Sequence, residues 1–147
     1  MEELKYGIIC YNININRQIQ TSRNNMSKIQ IIWSKLLPLD ETVILSQSQN
    51  AGVYRLSYKS ADGSYYVFYV GSTEASLRDV LLKHITEDEK NECIKTTIKN
   101  LECYFRVAEV SNSQDRISIV RTMIEYFKPK CNPPQTATGE VIEVNLS

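Results

Sequence analysis

The most informative stretch of the chain is residues 51–71, with the sequence AGVYRLSYKSADGSYYVFYVG. It contains two runs rich in β-branched and aromatic residues, 52–58 and 65–70, which predict two strands. The Asp-Gly pair between the runs is favoured in hairpin turns. Each run carries a tyrosine close to its glycine, in Gly52-Val53-Tyr54 and in Tyr69-Val70-Gly71. Paired antiparallel strands can bring both hydroxyls to one end of a sheet, so the hairpin is a candidate site.

Downstream of the hairpin, apolar residues recur at helical and at strand spacing. The order of these elements predicts an α+β fold, in which helices cover a small three-stranded sheet that is antiparallel or mixed. The predicted elements are a helix over 75–85, a helix over 90–99, a strand over 103–110 and a helix over 114–127, which Ser111 or Ser113 would cap and Pro129 follows.

Two further segments flank this domain, which spans residues 51–132. Residues 1–50 form an N-terminal extension, and residues 133–147 form a C-terminal tail whose alternating segment 141–146 could add an edge strand. The elements predicted in the extension are a strand over 8–15, a polar loop over 16–26 and a helix over 28–37 capped by Ser27.

Length and charge restrict the classes of function. A chain of 147 residues fits one domain. Its formal net charge is zero, whereas a protein that binds nucleic acid through its overall field is basic, so any such contact must come from a local patch. We find no apolar run long enough for a transmembrane helix and no secretion signal at the start. We therefore expect a cytoplasmic protein without a membrane partner.

The four cysteines are candidates for a metal site or for covalent links. With the single histidine, His84, they could form a Cys₃His zinc site, but they include no Cys-x-x-Cys pair and lack zinc-finger spacing. Reduced cysteine is also among the most buried residue types. We therefore expect buried thiols without zinc and, in a reducing cytoplasm, without disulfides. The four are Cys10, Cys93, Cys103 and Cys131.

The landmarks of residues 51–132 resemble, in their order, those of the GIY-YIG nuclease superfamily. They are Gly52-Val53-Tyr54, the Asp-Gly turn, Tyr69-Val70-Gly71, a helix with His84, and a helix followed by Pro129-Lys130-Cys131-Asn132. The resemblance implies a three-stranded antiparallel sheet flanked by helices. It also implies Mg²⁺-dependent cleavage of a DNA phosphodiester bond; without cleavage we expect no cofactor.

The resemblance further implies a role for each matching residue. In the family, two tyrosines deprotonate or orient the attacking water, and an arginine stabilises the phosphoryl charge. A glutamate holds the metal, and an asparagine supports the site. Tyr54, Tyr69 and Asn132 match three of these positions. His84 matches a histidine that the family often has one turn after the arginine, and its alternative is a structural histidine.

The arginine of the family is not matched. One turn before His84 the chain has Val80, and the family's spacing from Gly71 leads instead to Asp79. The nearest arginine, Arg78, is two positions before Val80 and so about 200° away around a helix.

The glutamate is not matched either. The family's spacing back from Asn132 leads to Val120. The nearest carboxylates, Glu125 and Asp115, each lie about 140° away around the helix. Val80 and Val120 instead complete the apolar stripes of their helices.

Three functions stay open at this point. The first is a family member that binds nucleic acid with lost or strongly reduced endonuclease activity; loss of one oriented charge typically costs about 10²–10³-fold in rate, which favours it. The second is an active Mg²⁺-dependent endonuclease that uses Arg78 with Glu125 or Asp115, or charges from a partner subunit. The third is a protein-interaction module. The candidate residues for nucleic-acid binding are Arg78, Lys83, Lys128 and Lys130. Their alternative is a merely solvated face, which charged residues on helices usually form.

Overall fold

The computed structural model describes residues 28–133 and 138–147. The strand predicted over 8–15 and the loop predicted over 16–26 lie outside these residues. The described elements are β1 (Lys28–Ile29), β2 (Leu37–Pro38), α1 (Glu41–Leu45), β3 (Gly52–Lys59), β4 (Tyr65–Thr73), α2 (Leu77–His84), α3 (Glu92–Asn100), β5 (Cys103–Glu109), α4 (Ser113–Phe127) and β6 (Glu143–Val144).

Four strands form an antiparallel sheet in the order β2-β5-β3-β4, so the predicted α+β class is confirmed. The three expected strands are β3, β4 and β5. A fourth, β2, joins them because Leu37 and Pro38 pair with Phe105 and Tyr104 of β5. In the tail, β6 pairs with β1 in parallel, as a separate two-stranded sheet.

The helix predicted over 28–37 is wrong, because this segment finds distant partners for its backbone. The Ser34 amide donates to the carbonyl of Val107 in β5 at 2.8 Å, and its Oγ accepts from the Val107 amide at 3.0 Å. The side-chain amide of Asn145 bonds both the N–H and the C=O of Ile31, at 2.8 and 2.7 Å. These bonds occupy groups that a helix would pair locally.

Among the described residues, the other predicted helices and strands are confirmed to within a few residues, and the differences are one helix cap and one additional helix. Asn112 caps α4 by accepting from the Asp115 amide, in place of the expected Ser111 or Ser113. The short helix α1, which follows Asp40 as its cap, was not predicted. None of the helices in residues 28–133 and 138–147 is long and apolar enough to cross a membrane.

Two apolar clusters lie on opposite faces of the sheet, because successive side chains of a strand point to opposite sides. We call the first face the tyrosine face; its core includes Ile44 of α1, Tyr54, Leu56 and Phe68 of the hairpin, Leu77 and Leu81 of α2, and Ile94 of α3. We call the second the α4 face; its core includes Val53, Val70 and Ala108 of the sheet and Ile119 and Met123 of α4.

Two of the cysteines are linked. Cys93 in the first turn of α3 and Cys131 after α4 form a disulfide, with their Cα atoms 5.3 Å apart. The expectation of free thiols is therefore wrong for this pair, because the fold brings together residues that are 38 positions apart in the chain. Cys103 is a free thiol, and burial raises its pKa to about 11.

Candidate active site on the tyrosine face

Tyr54, Tyr69 and His84 meet in one cluster on the tyrosine face. The ring centroids of the two tyrosines lie 6.2 Å apart, and the imidazole lies 5.5 Å from Tyr54 and 5.4 Å from Tyr69. Oη of Tyr54 and Nε2 of His84 are hydrogen-bonded at 2.7 Å. The fold thus brings together three of the four residues to which we assigned a catalytic role, from β3, β4 and the end of α2.

A β-bulge in β4 brings Tyr69 to this face. Leu56 pairs with Tyr69 and Ser57 pairs with Val67, so Phe68 is the extra residue. Regular alternation would send Phe68 and Tyr69 to opposite faces, but both pack with the tyrosine-face cluster. No local pattern in the sequence predicts this bulge.

The two motif glycines are required by close approach. The ring of Tyr54 crosses Gly71, its partner across the hairpin, and a Cβ there would lie 2.6 Å from the tyrosine Oη. A Cβ on Gly52 would lie 2.2 Å from the carbonyl oxygen of Ala108 and 2.8 Å from Cδ1 of Leu77. The glycines therefore let the tyrosine ring and helix α2 approach the sheet.

Glu89, which no sequence pattern singled out, completes the cluster. Its Oε1 is hydrogen-bonded to Nδ1 of His84, and its Oε2 accepts from the Asn91 amide at 2.8 Å. The side chains of His84 and Glu89 are only 10% and 9% exposed. Because an ionised carboxylate only accepts, Nδ1 carries the proton, and Nε2 is left to accept from the Tyr54 hydroxyl. A carboxylate five residues after a histidine at a helix end is the signal that could have found it.

Burial makes both tyrosines weaker acids than free tyrosine. The pKa of Tyr54 is raised well above 10.0 by burial first, and then by Tyr69 and Glu89. Burial, followed by Glu89, also raises the pKa of Tyr69. Tyr54 is therefore protonated at neutral pH. Its oxygen can accept a proton only as its own proton passes to His84, whose positive charge Glu89 would stabilise.

Asn132 supports the site from the outer edge of β4. Its Oδ1 accepts from the Val70 amide and its Nδ2 donates to the Val70 carbonyl, both at 2.9 Å. The neighbouring Cys131 amide donates to the Phe68 carbonyl at 2.9 Å, and Nδ2 of Asn91 donates to the Cys131 carbonyl at 3.1 Å. Asn132 is thus a positioning residue for the strand that carries the second tyrosine.

Val80 and Val120 lie on opposite faces of the sheet. Val80 packs with the tyrosine-face cluster, one turn before His84 on α2. Val120 packs with the α4-face cluster, across the sheet from the tyrosines. Of these two positions, only 80 therefore lies beside the cluster of Tyr54, Tyr69 and His84. The positions at which the family has its arginine and its glutamate do not belong to one site in this chain.

Arg78 and Glu125, which we considered as substitutes for the family's arginine and glutamate, do not pair with each other. Arg78 on α2 pairs with its neighbour Asp79, with Nε 3.1 Å from Oδ1. Glu125 on α4 pairs with Arg121 at 3.2 Å and with Lys128 at 3.7 Å. Because α2 and α4 cover opposite faces, Arg78 and Glu125 belong to different surfaces of the protein.

The remaining basic residues are held in different surroundings. Lys83 is exposed in the last turn of α2, directly before His84. Lys130 places Nζ 5.1 Å from the ring centroid of Tyr58, which is a cation–π distance. Lys128 ends α4 in the left-handed conformation, with φ of 50°. Of the basic residues assigned to nucleic acid, Lys83 is the one that directly adjoins the cluster along the chain.

The residues of the cluster do not fit a magnesium site. Mg²⁺ takes an octahedral set of oxygen ligands, usually with one or two carboxylates. The carboxylate of this cluster, Glu89, is already bonded to His84 and to the Asn91 amide. In the described part of the chain, no group of three or more His, Cys, Asp or Glu side chains is arranged to hold a metal ion.

Comparison of the chain with protein-family models, with curated proteins and with solved structures finds no match.

Proposed function

We propose that this chain is a GIY-YIG-like domain that binds nucleic acid through its tyrosine face and has lost most or all endonuclease activity. The observation that carries the proposal is the buried relay from Tyr54 through His84 to Glu89, beside Tyr69. It is supported by the order of landmarks along the chain, which follows that family. The proposal keeps the cytoplasmic location expected from the sequence, a compartment in which a disulfide such as Cys93–Cys131 is rare.

A phosphate group is the part of a nucleic acid that this face suits. Phosphate oxygens accept hydrogen bonds and carry negative charge, so they bind hydroxyl donors and cations. Tyr69 is half-buried and keeps its hydroxyl proton, because burial and Glu89 raise its pKa. Lys83 supplies an exposed positive charge at the end of α2. Together they would supply this side of the protein with a hydroxyl donor and a cation.

Weak cleavage follows from the charges around the relay. A guanidinium that stabilises the transition-state charge is typically worth about 10²–10³-fold in rate, and Val80 occupies the adjoining position. The raised pKa of Tyr54 also opposes proton uptake from water at neutral pH. The cluster can therefore hold a phosphate more readily than it can cleave one.

Binding is tested by titrating a fluorescent branched DNA at several salt concentrations and following its anisotropy. We expect binding that weakens as salt rises, because lysine contacts to phosphate release counterions. Lys83→Gln should weaken binding, and Lys99→Gln, an exposed lysine of α3, is the matched control. Absent or salt-independent binding would reject the proposal in favour of a protein-interaction module.

Loss of cleavage is tested by a plasmid-nicking assay with Mg²⁺ or Mn²⁺. We expect the unmodified protein to nick at background level, and Val80→Arg to raise the rate because it places a guanidinium one turn before His84. Circular dichroism checks that this variant is folded. Strong metal-dependent nicking by the unmodified protein, abolished in Tyr54→Phe, would mean that the enzyme is active and the proposal wrong.

A further inference from the structure

A buried arginine lies on the α4 face, across the sheet from the tyrosine cluster, and no carboxylate of residues 28–133 or 138–147 pairs with it. Arg55 of β3 is only 7% exposed. Its guanidinium carbon lies 4.6 Å from the ring centroid of Trp33 and 5.0 Å from that of Phe127. One of its terminal nitrogens, Nη1, is buried and has no hydrogen-bond partner among the residues that the structure describes.

A second arginine stands directly opposite. Arg106 of β5 is the register partner of Arg55, so both side chains extend from the same face of neighbouring strands. Arg106 is half-buried and forms the more solvent-exposed member of the pair. Within residues 28–133 and 138–147, neither arginine has an ion pair with a carboxylate.

This arrangement is unfavourable without an anion. Like charges opposite each other in a sheet repel, and a buried charge needs a partner that satisfies it. Burial, followed by Arg106, lowers the pKa of Arg55 to about 9, and Tyr126 offsets part of this effect. The two aromatic rings offer cation–π attraction to the guanidinium, but a ring is no hydrogen-bond acceptor for Nη1, which has none within the described residues.

We propose that Arg55 and Arg106 form a binding site for a phosphate-class anion on the α4 face. Two guanidinium groups match the charge of a phosphate dianion, and their forked N–H donors suit its oxygens. Trp33 and Phe127, both half-buried, lie against the Arg55 guanidinium. Because the site lies across the sheet from Tyr54, it does not depend on the function proposed for that face.

The test is a titration with inorganic phosphate, with sodium chloride at matched ionic strength as the reference. Trp33 is the only tryptophan of the chain, so its fluorescence reports on the Arg55 guanidinium beside it. We expect a saturable change and a rise in Tm with phosphate. Arg106→Gln should weaken the apparent affinity by about tenfold or more, because it removes a charge-assisted contact. Lys99→Gln should bind as the unmodified protein does.

Two results would overturn the site: a response to phosphate no larger than that to chloride, or equal affinity in Arg106→Gln and the unmodified protein. Arg55→Lys, which keeps the charge but loses the fork, should also bind more weakly, so the outcome does not rest on one variant. Competition by a 5′-phosphorylated oligonucleotide, but not by its 5′-hydroxyl counterpart, would assign the phosphate to nucleic acid. Competition by neither would assign the site to a free phosphate.

Discussion

Gly71→Ala should damage the candidate active site through a single atom. The new Cβ would lie 2.6 Å from Oη and 2.8 Å from Cζ of Tyr54, closer than the 3.0 Å below which real Cβ contacts essentially never occur. The tyrosine is 2% exposed and packed in the core, so its ring must tilt against its neighbours. Tilting would stretch its 2.7 Å hydrogen bond to His84.

The loss of stability in Gly71→Ala follows from two effects, the displacement of the Tyr54 ring and the stretching of its hydrogen bond to His84. Overpacking a core typically costs about 1–3 kcal/mol, and a buried hydrogen bond left unmade costs about 1–3 kcal/mol. Alanine also lowers the conformational entropy of the unfolded chain, which offsets about 0.4–1 kcal/mol of the lost stability. We therefore expect Gly71→Ala to lower the free energy of unfolding by about 1–5 kcal/mol, with a central value of about 3 kcal/mol, measured by urea denaturation followed by Trp33 fluorescence and circular dichroism.

Two further variants make this prediction specific. A Cβ at Gly63 meets nothing within 4 Å, so Gly63→Ala should cost only the strain of its φ of 88°, about 1–2 kcal/mol. In a Tyr54→Leu background the phenol ring is gone, and Gly71→Ala should cost at least about 1 kcal/mol less than in the unmodified protein. An equal cost in both backgrounds would refute the view that Gly71 exists to admit the tyrosine ring.

Three other predictions concern covalent and ionisable groups. Reduction of the Cys93–Cys131 disulfide frees a loop of 38 residues and should lower the free energy of unfolding by about 4 kcal/mol, whereas the double variant Cys93→Ala, Cys131→Ala should be insensitive to dithiothreitol. An unfolding free energy that dithiothreitol leaves unchanged in the unmodified protein would contradict the bond. The folded pKa of Tyr54 lies above its unfolded value near 10, so its contribution to stability is complete below pH 10 and is lost as pH rises through the folded pKa. Urea denaturation from pH 8 to 11 should show this loss and a smaller one in Tyr54→Phe; equal slopes would exclude the effect. The Cys103 thiol, with its pKa of about 11, should react with iodoacetamide at pH 8.5 at least about tenfold more slowly when folded than in urea, measured in a Cys10→Ser background; equal rates would contradict its burial.

The sequence by itself determined the hairpin and the order of elements that follow it. Strand composition, the Asp-Gly turn and helical spacing are local properties, so strands β3, β4 and β5 and helices α2, α3 and α4 could be predicted to within a few residues. Two tyrosines and a histidine were likewise identified from motif and spacing. Residue spacing alone does not predict that these three side chains lie on one face of the sheet, because that arrangement depends on the bulge at Phe68.

The tertiary structure alone decided which charged groups surround the tyrosines. Glu89 reaches His84 because the loop after α2 folds back and ties its other carboxylate oxygen to the start of α3. Val120 is removed from the site because α4 packs on the opposite face of the sheet. Residues 30–36 avoid a helix because Ser34 and Ile31 bond to strand and side-chain partners more than 70 positions away. Each of these outcomes is set by contacts between distant parts of the chain, which local propensity does not encode.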